Sequence, residues 1–406
     1  MSACPIPVLC AVTTASDTPI HPVSEGEQAG LREALSAVPD PRSPRGLRYP
    51  LAGLLTAAVC AVTAGASSVA AIADWLDDLD DIARARLGFG RAVPAMTTMW
   101  RLLTRLNADL LATVLAGWLR ARAGSADRPC EPRYRQVIAI DGKTVRGARR
   151  ADGRQTHLLS ALDTSTGIVL AQVTVAAKSN EIPAFAPLLN AVEVVLGSLN
   201  GLLFVADALH TQTAHATEIA ARGAYLLIPA KGNQPTLFTQ LKTLPWGQVP
   251  IGHQSRETGH GRRETRTVKA VTLQTPGGIA FPHAEQAIRI TRTRTLTASG
   301  KTTRETAYLT ISLPASDAHP IDLQRWIRAE WLIENLVHYV RDVTFREDSH
   351  QARTGHGPAV MATLRNTAIG YHRTSGETNI ARATRRANRR PHDLITAVTS
   401  SNPRTQ

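Results

Sequence analysis

Two short apolar runs constrain this chain more than anything else in it: QVIAI (Gln136–Ile140) and LLFVA (Leu202–Ala206), each followed directly by an aspartate, Asp141 and Asp207. Short apolar, partly β-branched runs bounded by polar residues read as strands buried on both faces, which require helices to cover them. Between the two runs, His157–Leu162 and Ile168–Val175 flank the turn DTSTG as two further strands, and Asn180 can cap a helix running to about Leu196. A helix from about Gln212 to Arg222 leads into a strand at Tyr225–Pro229. Hairpin strands first, then strands alternating with helices, describe a mixed α/β sheet.

The flanks have other periods. Residues 1–27 carry scattered Pro, Ser, Thr and Gly and read as a disordered extension. Residues 28–125 read as an all-helical N-terminal domain with a basic loop at Pro39–Pro50, and Ala126–Arg133 reads as a linker. The α/β domain is expected over 134–375. Inside it, about 246–313 is a β-rich insertion, and helices follow at about Leu323–Val340 and Ala359–His372. Residues 376–406 read as a basic tail, with five arginines in the ten residues Ala381–Arg390. No repeat at solenoid or propeller periods occurs.

Composition narrows the function classes. No apolar run is long enough to span a bilayer and the first residues lack a secretory layout, so a cytoplasmic protein without a membrane partner is expected. Cys4, Cys10, Cys60 and Cys130 show neither disulfide nor zinc spacing. The net charge is +13, and its distribution is uneven: Lys and Arg against Asp and Glu number 12 against 12 in residues 1–130, 25 against 19 in 131–350, and 9 against 2 in 351–406. A surplus confined to the later two thirds points to a polyanionic partner, because cationic side chains displace the counterions of a phosphate backbone.

Asp141 and Asp207 stand at strand ends, and if those strands are neighbours the two acids face each other. Two-metal phosphoryl transfer needs carboxylates on rigid elements, holding two divalent ions about 3.5–4 Å apart. Each acid has a plainer reading. A strand followed by Asp-Gly is also a hairpin signal, and Asp207 can cap the helix after it. Glu334, on the helix near Leu323–Val340, can be an ordinary surface glutamate. At 3.6-residue spacing, however, Ile327, Trp331, Glu334, His338 and Arg341 share one stripe of a helix expected to be well buried, where a carboxylate needs a compensating cation.

Five segments in order, IAIDGKTVRGA (from Ile138), VADALHTQ (from Val205), YLLIPAKGNQPTL (from Tyr225), GHGRRETR (from Gly259) and WLIENLVHYVRDVTFRED (from Trp331), together resemble the ISAs-type, H-repeat-associated DDE transposases of the IS-four-like class. The resemblance covers about residues 28–398. It implies a ribonuclease-H-like core with the first acid on the first strand, the second on the fourth and the third on a late helix, and a β-rich insertion between the second and third acids, which fits about 246–313 and makes the offset of 127 from Asp207 to Glu334 expected. It implies Asp141, Asp207 and Glu334 as the catalytic acids, two Mg²⁺ or Mn²⁺ ions, and metal-dependent cleavage and strand transfer at the ends of an insertion sequence. Double-stranded DNA, both transposon end and target, would be the partner, with a homodimer on DNA and a place at the bacterial nucleoid. His210, Lys231, Asn233, Gln234, His260, Arg262, Arg266 and Arg341 become candidate DNA contacts, and Arg385, Arg386, Arg389 and Arg390 of the tail candidate backbone contacts. Glu330 and Ile327 stand where the wider class has an arginine and a tyrosine. The competing function is a catalytically inactive or domesticated DNA-binding derivative.

Overall fold

A computed structural model describes residues 30–45, 47–124, 135–149, 153–176, 179–273 and 279–400. The expected extension at 1–27, the linker at Ala126–Arg133, and Cys4, Cys10 and Cys130 lie outside the described residues.

In chain order the elements begin with six helices: α1 (Leu31–Ala34), α2 (Leu51–Thr63), α3 (Val69–Asp77), α4 (Asp81–Leu87), α5 (Met96–Leu103) and α6 (Ala108–Ala123). Then come β1 (Val137–Val145), β2 (Thr156–Asp163), β3 (Ile168–Thr174), α7 (Phe185–Leu196), β4 (Leu203–Ala206), α8 (Thr213–Ala221), β5 (Tyr225–Ala230) and α9 (Pro235–Thr243). Four long strands follow: β6 (His253–Gly259), β7 (Arg262–Thr272), β8 (Gln286–Leu296) and β9 (Thr302–Ile311). The chain closes with α10 (Pro320–Ile333), a π-helical stretch (Glu334–His338), α11 (Tyr339–Val343), α12 (Gly357–Thr374), α13 (Ile380–Arg389) and α14 (Pro391–Thr399). Two compact units share this chain, one built from residues 1–127, 142–198 and 334–406, the other from 128–141 and 199–333. Among the described residues no single helix is long and apolar enough to cross a membrane.

In the first unit α12 is the hub. It packs on α2, α6 and β3, and every residue from Gly357 to His372 is buried. Three helices of this unit, α3, α4 and α6, start where the sequence supplies a cap: Ser68 accepts from the Ala71 amide (3.1 Å), Asp80 from that of Ala83 (2.8 Å) and Asn107 from that of Leu110 (3.0 Å). The antiparallel hairpin of β2 and β3 pairs Leu158 with Thr174 through to Asp163 with Ile168. Its turn closes through the Gly167 amide on the Asp163 carbonyl, with Gly167 at φ 73°, where a side chain would be strained. The helices of residues 31–123 thus share one compact unit with α12. In the segment expected as a basic tail, α14 packs against α4, α1 and α2, and Ile380, Ala383, Leu394, Ile395 and Val398 are buried.

In the second unit the strand order is β1-β4-β5-β9-β8-β7-β6. The first half of β1 runs parallel to β4, and β4 parallel to β5. These strands are nearly all apolar (VIAI, LFVA, YLLIPA), as strands covered on both faces must be. From β5 onward the pairing is antiparallel, so the β-rich insertion continues the sheet from β9 to β6. Leu237 and Leu241 of α9 join Trp246, Ile279 and Ala287 in a core cluster beneath it, and α10 packs on β4, β6 and β7.

Candidate active site

The register of β1 on β4 pairs Val137 with Leu203 and, step by step, Ile140 with Ala206. The next residue on each strand is an aspartate, so Asp141 and Asp207 leave adjacent parallel strands side by side, at an interstrand spacing of about 4.8 Å. The strand β1 does not stop there. It runs on to Val145, which removes the hairpin reading of Asp141-Gly142. The strand β4 does stop, at Ala206, and Asp207 opens a 3₁₀ turn over Ala208–His210 by accepting the Leu209 amide at 2.9 Å on Oδ1. One oxygen of Asp207 thus caps, as the plainer reading held, and the cap holds its carboxylate at the strand end.

Side-chain amides brace the segment beyond Asp207. Asn233 donates to the Ala208 carbonyl (2.6 Å), Gln234 to the Thr211 carbonyl (2.7 Å), and the Thr211 hydroxyl to the Pro229 carbonyl (2.7 Å). Asn233 and Gln234, expected to offer donors to DNA, each use one N–H to tie the β5–α9 loop to the Asp207 segment. Lys231 in the same loop is exposed. His210 is 1% exposed, its ring 5.4 Å from that of His215.

Beyond Asp141 the chain enters the first unit. There the Glu181 carboxylate lies against Gly142 so closely that a Cβ at that position would meet Oε1 at 2.0 Å. Glu181 Oε1 is 2.7 Å from His157 Nε2, and Thr144 Oγ1 is 2.9 Å from His157 Nδ1. Lys143 pairs with Asp342 at 2.7 Å. None of these residues was singled out from the sequence. The only signal for Glu181 was its place one residue after the capping Asn180, whose side chain accepts the Ile182 amide at 3.1 Å.

Glu334 is on the late helix as expected, at the first residue of the π-helical stretch, but the helix is not buried on that side. Glu334 is exposed and Trp331 is 52% exposed, whereas Leu323, Trp326, Ala329, Ile333, Val337, His338 and Arg341 are buried. A π turn takes more residues than an α turn, so a stripe drawn at 3.6-residue spacing loses register there. Arg341, expected at a phosphate, is instead fully buried. It pairs with Glu347 at 2.7 Å, and Arg365 holds the other oxygen of Glu347 at 2.8 Å. Burial alone would raise the Glu347 pKa, but the charges of Arg341 and Arg365 outweigh it and bring it down to about 2.

Of the insertion candidates, His260 is exposed at the β6–β7 turn with φ 49°. Arg262 lies 3.7 Å from Glu264, and Arg266 pairs with Glu257 at 3.3 Å and with Glu264. Arg385, Arg386, Arg389 and Arg390 are exposed along and just past α13, with Arg386 paired to Glu377. Among the described residues no group of three or more His, Cys, Asp or Glu side chains stands together as a metal site. The pair on β1 and β4 is what the fold brings together; Glu334 belongs to the other unit.

Residues 132–370 match the transposase DDE domain, and residues 32–119 match the DDE_Tnp_1-associated region. The chain therefore belongs to the DDE transposase family, in its ISAs-type, H-repeat-associated group. It is 27% identical over 363 residues to a putative transposase, YncI, of Escherichia coli O157:H7, spanning 84% of this chain and 87% of that one. It is also 27% identical over 352 residues to the H repeat-associated putative transposase YhhI of Escherichia coli K12, spanning 84% and 89%. A cryo-EM structure of the piggyBac transposase synaptic complex with hairpin DNA aligns with 91% of the chain and 76% of its own at a TM-score of 0.39 and 11% identity, too distant to carry residue positions across. The mixed α/β fold, with parallel strands β1, β4 and β5 and a helical N-terminal region, agrees with a ribonuclease-H-like core.

Proposed function

We propose that this transposase cuts and joins DNA by metal-dependent phosphoryl transfer, with Asp141, Asp207 and Glu334 as its acidic residues. The observation that carries the reading is the β1–β4 register, which sets two carboxylates at adjacent positions of one sheet. Oxygen-only donors on rigid strands suit a hard divalent cation such as Mg²⁺ or Mn²⁺. When bound, two such ions activate the attacking oxygen and stabilise the leaving one. The protein's share is positional. The cap on Asp207 fixes one carboxylate, continuation of β1 fixes the other, and Glu334 is the third acid. Water attacks phosphorus at the transposon end, the P–O3′ bond breaks and a 3′ hydroxyl leaves. That hydroxyl then attacks a target phosphodiester, which loses its own 3′ oxygen, so neither ATP nor a covalent protein intermediate is needed.

Cleavage of duplex DNA carrying the repeats that flank the gene, with Mg²⁺ or Mn²⁺ supplied, tests this. Asp141→Asn and Asp207→Asn should each lower cleavage by more than about a hundredfold and leave DNA binding in place. Wild-type protein that binds this DNA but leaves it intact with either ion would overturn the catalytic reading in favour of a DNA-binding derivative.

A further inference from the structure

The four antiparallel strands β6–β9 have two faces of unlike chemistry. Cross-strand register puts Glu257, Glu264 and Arg294 in one row and Arg266, Arg292 and Glu305 in the next, so all three carboxylates of these strands share one face. On that face the arginines are paired: Arg266, Arg292 and Arg294 surround the buried Glu264, and Arg328 of α10 reaches Glu257 at 2.5 Å. Gln324 of α10 also donates to the Ser255 hydroxyl at 2.7 Å, so the helix lies over this side.

The opposite face has no carboxylate among the described residues. Arg256, Thr265, Thr293 and Arg304 form a straight row across all four strands, and Arg263, Thr295 and Thr302 form the next. Nearer the core, Lys269 donates to the Trp246 carbonyl and Arg289 lies over the Trp246 ring at 5.4 Å. Toward the hairpin tips Arg256, Arg263 and Arg304 are exposed, and none has an ion-pair partner among the described residues. Three interstrand spacings separate Arg256 from Arg304, about 14 Å. A duplex presents on the order of eight backbone charges over that length. Unpaired guanidinium groups carry the charge such a backbone lacks, and threonine hydroxyls between them donate to its oxygens.

We propose that this carboxylate-free face of β6–β9 is a docking surface for the phosphate backbone of duplex DNA, held by Arg256, Arg263 and Arg304. This rests on DNA being the substrate, and it moves the contact away from Arg262 and Arg266, which face their own carboxylates.

The test is fluorescence anisotropy with a labelled duplex of arbitrary sequence, titrated at several salt concentrations. Replacing Arg256, Arg263 and Arg304 together with glutamine should weaken binding about tenfold or more at low salt. The slope of log affinity against log salt should become shallower by about 2–3. The matching triple lysine variant keeps the charge and should keep the slope. Circular dichroism of both variants checks that the sheet is intact. A glutamine triple with the wild-type slope, alongside a wild type that binds, overturns the docking surface and leaves the transposase reading standing. The same result with a changed mass by light scattering overturns it too and assigns the face to contact between copies. A wild type that binds no duplex at any salt overturns both readings.

Discussion

Glu347 is fully buried, yet it remains charged because two guanidinium groups meet its two oxygens. Together they satisfy one another: Arg341 also reaches Gln172 of β3 (3.4 Å) and Arg365 the Ser67 carbonyl (3.0 Å). Removing the carboxylate would strand two buried cations. Glu347→Gln should therefore destabilise the protein by about 3–5 kcal/mol, measured as a shift in the denaturant midpoint; a change under about 1 kcal/mol would show that the arginines find other partners. This cluster also explains a failure of residue-level reading. The family resemblance makes Arg341, seven residues after Glu334, a candidate DNA contact. Its burial is decided by Glu347 and Arg365, whose approach no local spacing reveals.

At the scale of elements, the sequence was most legible where one period holds over a whole element. The apolar runs before Asp141 and Asp207 announce β1 and β4, and the turn DTSTG announces the β2–β3 hairpin; the structure has all of them within a few residues. Legibility failed where the governing contact is distant or the period changes. The strand β1 continues past Asp141 to Val145 although Asp-Gly is locally a turn signal, and the stripe on α10 breaks at the π-helical stretch. The arginine-rich C-terminus hides a narrow buried stripe, Ile380, Ala383 and Thr384, among exposed arginines. Fully burying a large aliphatic side chain stabilises by about 1.5–3 kcal/mol, and α13 with α14 contribute Ile380, Leu394, Ile395 and Val398. Deleting residues 376–406 should accordingly lower the thermal midpoint by many degrees, or leave the chain insoluble. A truncated protein melting with the full-length one would restore the reading of these residues as a tail.

For the whole molecule, acid separates folded from unfolded chain by titration. Burial, reinforced by the charge of Arg365, lowers the His350 pKa from 6.5 to about 4 despite the opposing pull of Glu347. Between those values the unfolded chain binds more protons, so stability falls as pH drops from about 6.5 to 4. Glu347, depressed from 4.5 to about 2, stabilises fully above 4.5 and loses that contribution as pH falls toward 2. Urea midpoints measured from pH 7 downward should decline in these two successive windows, and His350→Gln should flatten the first while sparing the second. A midpoint constant from pH 7 to pH 4 would contradict the burial of His350. Charge matters in a different way on the sheet of β6–β9. With ion-paired charges on one side and unpaired guanidinium groups on the other, its positive charge is uneven across its thickness, which amounts to an electric dipole. Near a polyanion such a dipole experiences a torque before any contact forms, so the molecule arrives already turned. Added salt should then slow the encounter itself, because screening shortens the distance over which that turning begins.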